Sequence, residues 1–214
     1  LSVGVQDAAN LGWKLAATLG GWAPDGLLDT YHDERHPVGA RVLRNTLAQG
    51  TLYLSGTEID PLREVMRELV AIPAVARHLS GMVSGLDIRY VAAGPGHPLT
   101  GLRMPDRELE RPDGRRTRVA DLLHRARGIL VSAPGRTEVR RAVAGWSDRV
   151  DVVEASWVRV DGAAGPDAVL IRPDGYVAWA APGGGELPDA LGRWFGADRA
   201  APEAAPAPTA AAGA

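Results

Sequence analysis

The chain has 214 residues, enough for one or two domains with a proper core, and 45% of them are hydrophobic. A net charge of -2 argues against a general nucleic-acid or anionic-membrane binder, and no run approaches the roughly 18 apolar residues of a membrane span. The absence of cysteine excludes a disulfide framework, a thiolate metal site and a CxxC redox centre. Lys14 is the only lysine, a bias that points to GC-rich coding rather than to function. The N-terminus has no charged-then-apolar signal pattern, so the expected location is the cytoplasm.

The first predicted element is a helix. Ala8, Leu11, Leu15 and Leu19 recur at three- and four-residue steps and predict an apolar stripe, with Asn10 and Lys14 off it. Ser2 and Asp7 lie near its start, where a hydroxyl can cap N–H groups and a carboxylate meets the positive helix end. Gly20-Gly21 and Pro24-Asp25-Gly26 predict a turn. A second helical run opens at Leu27, and Pro37 is expected to kink or restart it before Val38, Val42 and Leu43 continue the pattern. His32 and His36 have metal-ligand spacing, but with no third ligand nearby a metal site is not expected. Pro61–Val70 and Pro73–Val83 read as two more helices, each with proline near its start. Together with the second run they would form a helical connector. Ala92 to Pro98 then reads as a domain boundary.

Beyond it, Arg103 to Arg127 interleaves arginines with Asp106, Glu108, Glu110, Asp113 and Asp121, which predicts a solvated surface. Gly128–Ser132 is a short apolar run, hence a buried strand; Thr137–Trp146 is helical in tendency; Val150–Ala155 predicts a strand parallel to the first. Ala168–Arg172, Pro173-Asp174-Gly175 and Tyr176–Ala180 predict a hairpin. Leu187–Phe195 predicts an amphipathic helix with Leu187, Leu191 and Trp194 or Phe195 inward. Strand-helix-strand followed by hairpin-helix is the order of a thioredoxin-like α/β core. Ala200 to Ala214, almost entirely Ala and Pro, is expected to be disordered. His97 and His124 are isolated and read as structural or surface residues.

The opening block L-S-V-G-V-Q-D-A-A-N-L-G-W-K-L resembles the L-N-x-G-x-Q-D-A-x-N-L-x-W-K-L turn and helix of FAD-dependent aromatic hydroxylases, with Ser2 where the family has Asn. L-L-D-T-Y-H-D-E-R-H-P resembles the L-x-x-Y-x-x-E-R-x-P segment that follows it. His97–Asp106, Asp113–Leu123 and Leu170–Trp179 resemble blocks in the C-terminal domain of those enzymes, closest to the aromatic-polyketide hydroxylases. The resemblance implies FAD as cofactor, NAD(P)H as reductant and an aromatic, polyketide-type substrate. It implies that the backbone at Leu1, Ser2 and Val3 faces the pyrimidine edge of the flavin ring. No catalytic acid or base and no metal ligand is assigned.

The G-x-G-x-x-G pyrophosphate cradle and the family's Gly-Asp motif do not occur in this sequence. The expected organisation is therefore residues 1–89 as the end of an FAD-binding domain plus helical connector, 90–197 as a redox-inactive thioredoxin-like domain, and 198–214 as a tail. On this reading the chain alone binds FAD weakly or not at all, and its partner is the missing N-terminal FAD and substrate portion, in cis or in trans. The alternative is a stand-alone, redox-silent thioredoxin-like scaffold or partner-binding module.

Overall fold

Helix α1, Ser2–Leu19, forms over the expected span, in a computed structural model that describes residues 2–54, 56–90, 96–159 and 164–199. Its buried face is not the expected one. Asn10, Trp13, Lys14 and Ala17 point inward, while Ala8 is exposed, Leu15 is 41% exposed and Leu19 88% exposed. The inward face carries polar groups whose partners lie far off in sequence, and a local hydrophobic pattern cannot register them. Asp7 does not serve the helix end either: its carboxylate meets Arg35 Nε at 2.6 Å. The residue that would precede the first turn, Leu1, lies outside the described residues.

Helix α2, Thr30–Leu52, begins three residues later than its apolar pattern suggests. Leu27 is instead buried in the core from a turn, where its N–H donates to the Pro24 carbonyl at 3.1 Å. Pro37 sits inside α2 without ending it. Buried contacts on both sides of the proline, at Glu34, Arg35 and Val38, hold the axis where local propensity would break it. The His32 and His36 rings stack 4.8 Å apart. No cluster of three or more metal-capable side chains occurs among the described residues.

Helices α3, Asp60–Val70, and α4, Pro73–Ser84, fall within a residue of expectation and bury none of their residues. α4 stops at Gly85, whose φ of 72° ends the helix in the left-handed conformation. The expected boundary at Ala92 to Pro98 lies mostly outside the described residues, as does the tail from 200 to 214.

The Arg-dense stretch is solvated and ion-paired, as expected, but it also builds structure. Glu108–Glu110 (β1) and Arg116–Arg118 (β2) pair antiparallel, then α5, Val119–Leu122, follows. Leu109 and Val119 are carried into the core by an otherwise charged segment.

Gly128–Ser132 (β3), Thr137–Ala142 (α6), Val150–Glu154 (β4), Ser156–Trp157 (β5), Ala168–Ile171 (β6), Val177–Ala181 (β7) and Leu187–Phe195 (α7) complete the order. The expected helix from Thr137 to Trp146 is split, its second part a 3-10 turn over Ala144–Trp146. β5 joins β1, giving a three-stranded sheet ordered β2-β1-β5.

The larger sheet is ordered β4-β3-β6-β7, with β3 parallel to β4 and antiparallel to β6. That order and those directions are the thioredoxin-like core the sequence predicts, and it contains no cysteine. One sheet face packs Leu130, Leu170 and Trp179 against α7 and against Trp13 and Ala17 of α1. The other packs Ile129, Val131, Val169 and Ile171 against Leu109, Val119 and Met104. Helix α1 is thus part of the same hydrophobic layer as α7, and the β6–β7 hairpin tip reaches it.

Candidate functional site

In the first turn of α1, Ser2 and Gly4 are exposed, Val3 is half-buried, and a Cβ added at Gly4 would meet nothing within 4 Å. The first amides of any α-helix have no intrahelical acceptor, and they sit at the positive end of the helix dipole. No acidic side chain occupies this turn to neutralise it. The donors fit the electron-rich edge of a heterocycle such as the flavin pyrimidine ring. Of the three residues expected to face it, Ser2 and Val3 are at the helix start and Leu1 lies outside the described residues.

Two turns along the same helix lies a buried ionic cluster. Lys14 Nζ lies 2.8 Å from Glu34 Oε2 and donates to Asn10 Oδ1 at 2.8 Å. Asn10 Nδ2 donates to Glu34 Oε2 at 2.7 Å. Arg172, on the hairpin after β6, donates to both Glu34 oxygens and to both oxygens of Asp174. Asp174 also accepts from the Trp13 indole Nε1 at 3.1 Å. Two cations meet two carboxylates, so the formal charge of the cluster is zero. The Arg172 guanidinium lies 4.3 Å from the Trp194 ring centroid and 5.3 Å from that of Trp13, which covers it with aromatic surface.

The hairpin geometry supplies the two outer members. Gly175 N–H donates to the Arg172 carbonyl at 2.9 Å, and Gly175 adopts a φ of 83°. Pro173, Asp174 and Gly175 therefore form a tight turn ending in a left-handed residue, which folds the Arg172 and Asp174 side chains to the same side.

Burial lowers the Lys14 ammonium from its ordinary value, against the opposing pull of Glu34. Burial works to raise Glu34, but the hydrogen bonds and charge of Arg172, with Lys14 and Asn10, outweigh it and hold the carboxyl below its ordinary range. Burial likewise works against the Arg172 charge, and Asp174 and Glu34 overcome it.

A second contact braces α1 nearer its start. Arg35 pairs with Asp7, and its Nη1 donates to the Tyr90 hydroxyl at 3.1 Å. The Tyr90 ring stacks on Tyr176 at 4.0 Å. Burial raises the Tyr90 phenol far above its ordinary range, so it stays neutral.

Sequence reasoning missed this cluster. Asn10 and Lys14 were expected off the packed face, and Glu34, Arg172 and Asp174 stood out only as letters in the resembling blocks. His97 is half-buried, with Nδ1 accepting from the Leu99 N–H at 3.2 Å; His124 is exposed. Neither joins the helix start.

Residues 97–198 match the aromatic-ring hydroxylase C-terminal family, and residues 1–46 match the FAD-binding domain family. The chain is 48% identical over 201 residues to the 12-dehydrotetracycline 5-monooxygenase/anhydrotetracycline 6-monooxygenase of Streptomyces rimosus, covering 92% of this chain and 40% of that protein. It superposes on CabE, an aromatic hydroxylase from angucycline biosynthesis, with a TM-score of 0.87 and 57% identity, over 92% of this chain and 41% of that one. The Diels-Alderase PyrE3 of pyrroindomycin biosynthesis is similar as well, with a TM-score of 0.72 and 39% identity, over 92% of this chain and 38% of that one. The chain spans about 40% of the length of the curated relatives it matches.

Proposed function

Because the chain belongs to the FAD-dependent aromatic-ring hydroxylase family, we propose that it is the C-terminal portion of a flavin monooxygenase acting on an aromatic, polyketide-type substrate with NAD(P)H and O2. The observation that carries this reading is the order of the two family matches, FAD-binding over residues 1–46 and aromatic-ring hydroxylase C-terminal over 97–198, joined through α1 by a buried ionic cluster. On this reading, backbone N–H groups at Leu1, Ser2 and Val3 would hold one edge of the flavin ring. Bound FAD would supply the redox and oxygen chemistry, and this chain would supply part of its orientation. No side chain of the chain is assigned as acid or base.

On the same reading, residues 1–89 belong to the FAD-binding domain and its helical connector, 90–197 to the thioredoxin-like domain, and 198–214 to a tail. The partner is the N-terminal FAD and substrate portion, and the site of action is the cytoplasm. No helix among the described residues is long and apolar enough to cross a membrane. The likeness to a Diels-Alderase supports placing the choice of reaction in the N-terminal portion rather than in this part.

Reconstitution tests the proposal. The chain is co-expressed with the N-terminal FAD and substrate portion of a relative, and flavin absorbance of the purified complex is measured. A complex that retains FAD and oxidises NAD(P)H is expected. A complex that forms without taking up flavin would overturn the reading.

A further inference from the structure

Among the described residues, helix α1 packs through one face. Its outward residues Val5, Leu15 and Leu19 are exposed, and of its four buried residues three, Asn10, Trp13 and Lys14, bond into the ionic cluster. Arg172 is the charged member that closes the cluster: like Asn10 it bonds both Glu34 and Asp174, and it bridges 138 residues of sequence to the first. Remove it and Lys14 faces two buried carboxylates, leaving one uncompensated negative charge. The guanidinium also lies against both the Trp13 and Trp194 rings, so it ties α1 to α7 as well as to α2. The second brace leads back to the same hairpin, since Arg35 grips Asp7 and Tyr90, and Tyr90 stacks on Tyr176, two residues beyond Asp174.

We propose that the redox-silent thioredoxin-like domain is the device that aims α1, and that Arg172 is its positioning residue. This role rests on reading the start of α1 as flavin-facing. Asn10 is eight residues from Ser2, roughly 12 Å along the axis, so a tilt of about 10° at the cluster would displace the first-turn amides by about 2 Å. That is enough to break a hydrogen bond to a bound ring edge. Arg suits the task because its planar fork bonds two carboxylates at fixed angles, which an ammonium cannot do.

The chain has no cysteine, so two spin labels can be placed cleanly, at Gly4→Cys on the first turn of α1 and Arg141→Cys on α6. Electron–electron distance measurements on the full 214-residue chain are expected to give one narrow distance. Arg172→Lys and Asp174→Asn should broaden it while amide exchange in β3 and β6 stays slow. Asp174→Asn keeps the turn and an acceptor oxygen, so it carries the test if the Arg172 variant does not fold. A distance as narrow as the parent's in the folded variants overturns the proposal.

The second measurement separates the two readings. In the complex with the N-terminal portion, Arg172→Lys and Asp174→Asn should weaken FAD binding about tenfold or more. Broadening of the label distance with unchanged FAD affinity overturns the aiming role while the flavin reading, tested by FAD uptake of the unsubstituted complex, stands.

Discussion

Lys14 Nζ lies 2.8 Å from Glu34 Oε2, with the lysine fully buried and the glutamate nearly so. Lysine is almost never fully buried unless paired, and here the pair is completed by Asn10 and by the Arg172 fork, which spans both oxygens of the carboxylate. Lys14→Met removes one cation from a neutral set of four and leaves an uncompensated buried negative charge. The expected loss is about 3 kcal/mol of stability, read from urea denaturation. An unchanged midpoint would mean that water reaches the cluster in solution.

The same pair predicts an acid limb. Glu34 ionises below its ordinary value of 4.5 in the folded chain, so on acidification the unfolded state takes up the proton first. Its contribution is fully present above that value and is lost as pH falls through the lower folded value. Thermal unfolding should therefore show a fall in Tm below about pH 4.5 that is steeper for the parent than for Glu34→Gln. Parallel curves for the two proteins would remove Glu34 as the cause.

Two glycines should respond differently to alanine. Gly175 has a φ of 83°, and an added Cβ would meet only Leu123 Cδ1 at 3.4 Å, so the cost of Gly175→Ala is backbone strain of about 1 kcal/mol. At Gly128 an added Cβ would come within 2.5 Å of the buried Phe195 ring, and overpacking of this kind costs about 1–3 kcal/mol. Denaturant titration should rank Gly128→Ala below Gly175→Ala, and both below the parent. The reverse order would show that Phe195 moves aside freely.

The 214-residue chain alone should take up little or no FAD, because in this fold the flavin is held mainly through its nucleotide half and no pyrophosphate cradle occurs in the sequence. Fluorescence titration with FAD measures this, and stoichiometric micromolar binding would restore the case for an independent flavoprotein. In the complex with an N-terminal portion, Ser2→Pro should weaken FAD more than Ser2→Ala. Ser2 is the first helical residue, where proline is tolerated by the helix but removes the N–H proposed to face the ring.

By itself the sequence determined the four strands of the larger sheet, the hairpin with its glycine turn and the last helix with its inward Leu187 and Leu191. Those features are set by short-range periodicity and turn chemistry, and the family followed from motif blocks in order. Only the tertiary structure decided which face of the first helix is buried. The local pattern favoured Leu11, Leu15 and Leu19, because a lysine and an asparagine carry a desolvation cost that nothing nearby in sequence offsets. Their compensation comes from Glu34, 20 residues beyond Lys14, and from a hairpin tip more than 150 residues away, so it exists only once those elements have packed together. Pro37 obeys the same logic. Its local tendency to break a helix is outweighed by Glu34, Arg35 and Val38, which are anchored on either side of it.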